Sequence, residues 1–473
     1  MYEKWDSEKA KSTSTSSGGG SASKTKRIVL NDFAGGLNLT PAVYTLKHNE
    51  SRESKNLSPN YLPAICPKSD YHLIANMGNA NNKSIGILHN GHLFITRQYT
   101  STTTEIIDVD TNTSIGLLSH DGIGAYNVFY SYDELDKCTA FYTNTGHMRV
   151  LNPNGITIGT AQLGFPVNFS CVHQGRIVVG AVEINDVHVA KQYYADYMNR
   201  NFDSFTVGSF AEGCRGLMSY KNSILYWSPT ALYKIATNYP INDTGGANDD
   251  YRHTITVVSN SSGACLGNTV ADVLGTIIWY GNNRVFAYKG SNVEVISQNI
   301  QSFLDDIDES EFTHPPVAGT IGEYYYLVFN LPNKSIMLTY DTKNKSWLIA
   351  DGENIISFTK KNQDLIAFCI NGSIKNMSKN LSITKPWSYK SPYFARNELG
   401  DSFSIKANLA EDAVVTVYVT ADGRPDPILI GTITYQNNEI EKSFDYPSQI
   451  DDDAKISIEL EGNGKTIIHA ITL

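Results

Sequence analysis

The residues able to do chemistry are few and widely scattered. Histidines stand at 48, 72, 89, 92, 120, 147, 173, 188, 253, 314 and 469, and the one close pair is His89-Asn90-Gly91-His92. Asn-Gly is a tight-turn signal, and side chains at i and i+3 of a hairpin are expected on opposite faces, so no shared metal is assigned to the pair. The cysteines at 66, 138, 171, 214, 265 and 369 never approach closer than 33 residues. Without a CxxC pair, zinc ribbons and thioredoxin-like motifs are excluded. The isolated spacing reads as free buried thiols in a reducing compartment rather than as a disulfide framework. Gly263-Ala264-Cys265-Leu266-Gly267 has the outline of a nucleophile elbow with Cys for Ser. Its β-rich surroundings offer no following helix, so Cys265 is expected to be a small buried hydrophobe.

Asp108-Val109-Asp110-Thr111-Asn112 opens like a calcium loop. An EF-hand needs Gly at the sixth position and Glu at the twelfth, where this chain has Thr113 and Ser119. A strand ending in a polar turn is the simpler expectation. The acidic runs at 305–309 and 451–453 are expected to be solvated loops or interface charge. HExxH, GxSxG, the P-loop and the sialidase Asp-box are all missing. No catalytic residue, metal ligand or cofactor is therefore assigned.

Composition narrows the class. Hydrophobic residues make up 41% of the 473 and charged residues 18%, with 28 Tyr and 18 Phe, which excludes a mostly disordered chain. A net charge of −10 gives no basic footprint for tight nucleic-acid binding. No apolar run reaches the ~18 residues of a membrane helix, and the N-terminus lacks the apolar core of a secretory signal.

Residues 1–27 are Ser, Thr, Gly and Lys with six cationic and three anionic side chains, a composition expected to form a flexible arm. Tyr2 and Trp5 would anchor it if it became ordered on a neighbouring subunit. Residues 28–80 read as a lead-in segment that docks onto the domain after it. From residue 80 onward, short runs of Val, Ile, Tyr, Phe and Thr alternate with Asn, Gly, Asp and Ser clusters, so the fold is read as all-β. Only 189–199 and 300–312 have the spacing of short helices. Core-type strands starting at Leu93, Thr139, Ile177, Ile224, Ile277, Tyr325 and Leu365 recur at spacings of 46, 38, 47, 53, 48 and 40 residues. That period holds about four short strands, the content of one propeller blade. We therefore expect a β-propeller of about seven blades over 81–388, with six or eight blades, or a stack of sandwiches, as the alternatives. Residues 389–473 alternate like a small antiparallel β-sandwich, with 7 cations against 14 anions.

Asn31-Asp32-Phe33-Ala34-Gly35-Gly36-Leu37-Asn38, followed by Leu46, Glu50, Asn56 and then Leu62-Pro63-Ala64-Ile65-Cys66-Pro67-Lys68, resembles the opening of phage virion proteins of the tail-hub or DNA-stabilisation type. That opening reads F-x-G-G-(I/L)-N, then L-x-x-(N/D)-E, an Asn, and a G-x-L-x-x-R-x-G entry into the first blade. Pro63 and Lys68 depart from it where Gly and Arg are usual. Two later stretches look similar to the same group. One is Ile277–Gly281 continuing to Ser297; the other is Tyr324–Phe329 with Tyr340-Asp341, five residues and Trp347. In such blades the Tyr and Trp fill the wedge between neighbours.

The resemblance implies a non-enzymatic structural subunit of a phage tail or neck, in the virion, forming a ring with copies of itself beside tail, portal or adaptor proteins. DNA would pass without tight binding, since an acidic wall repels phosphate, and no membrane insertion is implied. Tyr2, Trp5, Phe33, Gly35, Gly36, Asn38, Glu50 and Asn56 are the expected assembly interface. A carbohydrate-binding tail-tip protein is the alternative, with Tyr389, Tyr393 and Tyr418 as stacking candidates. A propeller glycosidase comes third, because no catalytic signature supports it.

Overall fold

Seven four-stranded antiparallel sheets succeed one another at residues 86–119, 126–162, 167–206, 216–259, 271–295, 314–351 and 355–384, the last borrowing a strand from elsewhere. The computed structural model describes residues 27–473 except 41–42, 79–85, 90, 101–102, 120–125, 133–136, 144–146, 152–156, 163–166, 175, 182–185, 191–201, 209–212, 239–251, 263–264, 425 and 437–438. First strands of neighbouring sheets lie against each other through much of the series. Ile355–Lys361 of the seventh sheet meets Gly86–His89 of the first, which closes the ring. The chain is a seven-bladed β-propeller followed by a sandwich.

Each strand start marked by the sequence period lies in the second strand of a blade. Leu93 is in His92–Thr100, Thr139 in Lys137–Thr143, Ile177 in Arg176–Ala181 and Ile224 in Ser223–Trp227. Ile277 is in Thr276–Gly281, Tyr325 in Tyr324–Leu331 and Leu365 in Asp364–Cys369. A second strand is paired on both edges and covered on both faces, so it becomes a nearly continuous apolar run. Ser223–Trp227 is buried throughout.

The fourth strand of the seventh blade is Ser69–Asn76, antiparallel to Ser373–Thr384. The lead-in at 28–80 is thus not one docking segment. Its last strand completes the propeller, while Val29–Leu30 pairs with Thr466–Thr472 and Glu53–Lys55 pairs with Trp387–Lys390. Those pairings build the sandwich. One sheet runs Val29–Leu30, Thr466–Thr472, Ser402–Leu409, Ile440–Asp445; the other runs Ile428–Thr434, Val414–Ala421, Lys455–Asn463, Trp387–Lys390, Glu53–Lys55. Alternating residues point inward, and Ile405, Val415, Val417, Ile458, Leu460, Ile468 and Ile471 form a sealed core.

A short helix, Gln301–Asp305, lies between 3-10 turns at Gln298–Ile300 and Glu309–Glu311, within the expected 300–312. Of 189–199, Val189 and Ala190 instead end the strand Asp186–Ala190, held by pairing with Val178 and Phe202, and the remainder lies outside the described residues. Tyr2 and Trp5 also lie outside them. His89 and His92 are directly paired across their turn. The expectation of opposite faces is therefore corrected: residues flanking a two-residue hairpin loop are opposed partners and share a face.

Candidate functional site

The lead-in runs between propeller and sandwich and fastens one to the other. Phe33 is buried edge-on against Tyr389, ring centres 5.4 Å apart. Gly35 donates its N–H to Asn49 O at 3.0 Å, where a Cβ would stand 2.6 Å from that oxygen. Gly36 has φ +66°, and a Cβ there would stand 2.7 Å from Trp347 O. Only glycine allows so close an approach in the left-handed region. The chain can then lie on Ser346–Asp351, the outer strand of the sixth blade, and insert Leu37 into the core between the fifth and sixth blades. Asn38 Nδ2 donates to Glu50 Oε2 at 3.0 Å, and Lys47 N–H donates to the same oxygen at 2.9 Å.

Asn56, with φ +57° and 1% exposure, ties three segments together. Its Nδ2 donates to Asp351 Oδ2 at 2.9 Å and to Pro386 O at 2.7 Å, while its Oδ1 accepts Asp351 N–H at 2.8 Å. Phe33, Gly35, Gly36, Asn38, Glu50 and Asn56 therefore face into their own chain. Phe33, Gly36, Asn38, Glu50 and Asn56 are buried there, and Gly35 is half-buried beside Asn49.

A charged cluster surrounds this clasp. Lys68 Nζ donates to Asp351 O at 3.2 Å, and Lys385 Nζ donates to the same oxygen at 3.4 Å. Lys55 pairs with Asp351 Oδ1 at 2.9 Å, while Glu353 pairs with Lys375 and, at 3.6 Å, with Lys385. Burial pushes the Lys68 ammonium down to about 7; the charge of Lys385 adds to this, and Glu353, Asp351 and Asp70 oppose it. Burial also works to raise the Glu353 carboxyl. The hydrogen bond and charge of Lys375, with Lys385 and Lys68, outweigh it and leave the group below its ordinary value. Beside the cluster opens a cleft of about 460 Å³, lined by Lys55, Asn56, Asp351, Ser388, Thr416 and Glu461 among others. Sequence reasoning missed Asp351, Glu353, Lys375 and Lys385, which carry no motif. Lys68 showed only as a departure from a pattern.

The blade motifs have a direct physical role. Tyr340 and Trp347 are cross-strand partners with ring centres 4.7 Å apart, and Asp341 Oδ1 caps the intervening turn by accepting the N–H groups of Lys343 and Asn344. The Trp347 indole donates to Ile296 O at 2.8 Å, which joins the sixth blade to the chain leaving the fifth. Trp279 packs on Trp227 in the fourth blade at 5.4 Å.

The stacking candidates do not form a platform. Tyr389 is 2% exposed, a correction that follows from its place behind Phe33. Tyr393 is half-buried, with Tyr44 at 5.3 Å and the Arg52 guanidinium 4.2 Å above its ring, and Tyr418 is half-buried. Burial holds the Cys265 thiol well above its ordinary value, and a 3-10 turn, Gly267–Thr269, follows it rather than an α-helix. Burial likewise pushes Cys66 up to about 12. His173 lies 2.8 Å from Ser219 Oγ and 3.1 Å from Thr237 Oγ1, a tie between the third and fourth blades, and burial lowers its pKa. In the acidic run, Asp305 accepts from Gln301, Asp308 caps Ser310 and Glu309 accepts Asn283 N–H.

No protein-family model matches the chain, and no curated protein matches it. Among solved structures it is similar to BamB from Moraxella catarrhalis, at 13% identity over 69% of this chain and 96% of that one, TM-score 0.41. It is similar also to the Cps50 (Swd1) β-propeller domain of Myceliophteria thermophila, at 10% identity over 65% of this chain and 99% of that one, TM-score 0.43. Chaetomium thermophilum Raptor is matched at 9% identity over 65% of this chain but only 29% of Raptor, TM-score 0.41. These likenesses concern the fold alone.

Proposed function

We propose that the chain is a non-enzymatic structural subunit of a phage tail or neck, forming a ring with copies of itself that builds or closes the DNA channel and supports neighbouring tail, portal or adaptor proteins. The clasp carries this reading. Of the residues that resemble the opening of tail-hub proteins, Phe33, Gly36, Asn38, Glu50 and Asn56 are buried where the lead-in fastens propeller to sandwich. Such a joint makes one stiff building block. The charge agrees: residues 389–473 hold −7 of the net −10, while the propeller's first strands carry only Asp272, Lys360 and Lys361 as Asp, Glu, Lys or Arg. An acidic surface repels phosphate and favours sliding over capture. Arg27 is exposed on the sandwich beside Leu473. Among the described residues no helix is long and apolar enough to cross a membrane.

Mass photometry of the full chain and of a form lacking residues 1–26 tests the reading, together with electron micrographs of particles. A discrete ring, weakened when the arm is removed, is the expected result. A monomer at all concentrations that binds host glycans overturns it. The polar cleft between propeller and sandwich is what favours that second reading, a glycan-binding tail-tip protein.

A further inference from the structure

We infer that His92, Asp108 and Asp110 form a binding site for a zinc-class divalent metal ion on the first blade. His92 begins the second strand, Asp108 ends the third, and Asp110 lies in the following turn. Asp108 is the register partner of Phe94, two residues beyond His92, so the three fall on one face. His92 Nδ1 lies 3.8 Å from Asp108 Oδ2 and 3.4 Å from Asp110 Oδ2. The three donor atoms all lie within 4.8 Å of one another, and a modest side-chain rotation brings them to the spacing of about 3.3–3.6 Å that tetrahedral zinc with bonds of about 2.0–2.2 Å sets between donors.

A second observation concerns Asp108, which is only 9% exposed. Its Oδ1 accepts the N–H groups of Asp110 at 2.9 Å and Thr111 at 3.4 Å. Among the described residues, Oδ2 takes no hydrogen bond, and it faces His92. A buried carboxylate with one oxygen orienting it and the other left for a cation is how ligating carboxylates are held. One imidazole with two carboxylates suits zinc or manganese better than calcium and leaves a fourth position for water. The resident counter-charge is Lys361 of the seventh blade, whose Nζ lies 3.6 Å from Asp110 Oδ2. Its side chain is partly exposed and can swing away when a divalent ion enters.

The test is calorimetric titration of the metal-stripped full-length protein with Zn²⁺, and with Co²⁺ followed by visible absorption. One saturable site per chain is expected, with tetrahedral cobalt bands and no displacement by millimolar Ca²⁺. His92→Ala and Asp110→Asn alter exposed residues and should each weaken binding at least about tenfold, the loss that even an outer partner of a ligand can cause. Lys361→Ala, which removes the competitor, should tighten it. Absence of a saturable site, a site unchanged in both ligand variants, or preference for Ca²⁺ overturns the assignment, and each outcome is independent of whether the protein forms rings.

Discussion

Lys68 makes stability depend on pH in a direction opposite to that of a lysine held charged by a salt bridge. Its amine is enclosed beneath Asp351 O at 3.2 Å and lies 4.9 Å from the centre of the Tyr71 ring. Burial holds its pKa at about 7 against an ordinary value of 10.5. Between those two values the unfolded chain binds a proton that the folded chain does not. The free energy of unfolding must therefore rise with pH across this window, and level off below it, where both states are protonated. At 1.36 kcal/mol per unit of pKa, the rise between pH 7 and pH 9 comes to about 2 kcal/mol. Lys68→Met keeps the length of the side chain and removes the titrating amine. Urea unfolding of both proteins at pH 7, 8 and 9 isolates the effect, since every other group titrating there is common to the two. The wild-type profile should climb relative to that of Lys68→Met. Parallel profiles would refute the argument, because they would mean that the buried amine stays charged and is paired well enough to offset its desolvation.

Two further substitutions probe the clasp and the blade wedge. Gly36→Val places a Cβ 2.7 Å from Trp347 O at φ +66°. Backbone strain alone should cost about 1–3 kcal/mol, seen as a lower urea midpoint and faster proteolysis within the lead-in. Trp347→Phe removes the indole donor to Ile296 O while keeping an aromatic ring. It should destabilise by about 1–3 kcal/mol and speed hydrogen exchange along Ser346–Asp351 more than in the sandwich.

The blade period was readable because it has a local cause. A second strand enclosed on both faces must be apolar along its length, so Leu93, Ile224, Ile277 and Tyr325 stand out as strand starts whatever the rest of the chain does. The Tyr340-Asp341 to Trp347 unit was readable for the same reason, since its turn cap and its ring pair lie within eight residues. The inward role of Gly36 and Asn56 was not, because residue type reveals a left-handed backbone or a polar side chain but not which surface will cover it. Nor was the union of His92 with Asp108 and Asp110, which depends on the register between two strands. Only the closed ring decided that Ser69–Asn76 completes the seventh blade, and only the finished sandwich decided that Glu53–Lys55 and Val29–Leu30 belong to it. Composition and period are set by whether a strand is buried, whereas an edge strand's partner is whichever edge remains unpaired once segments hundreds of residues apart have met.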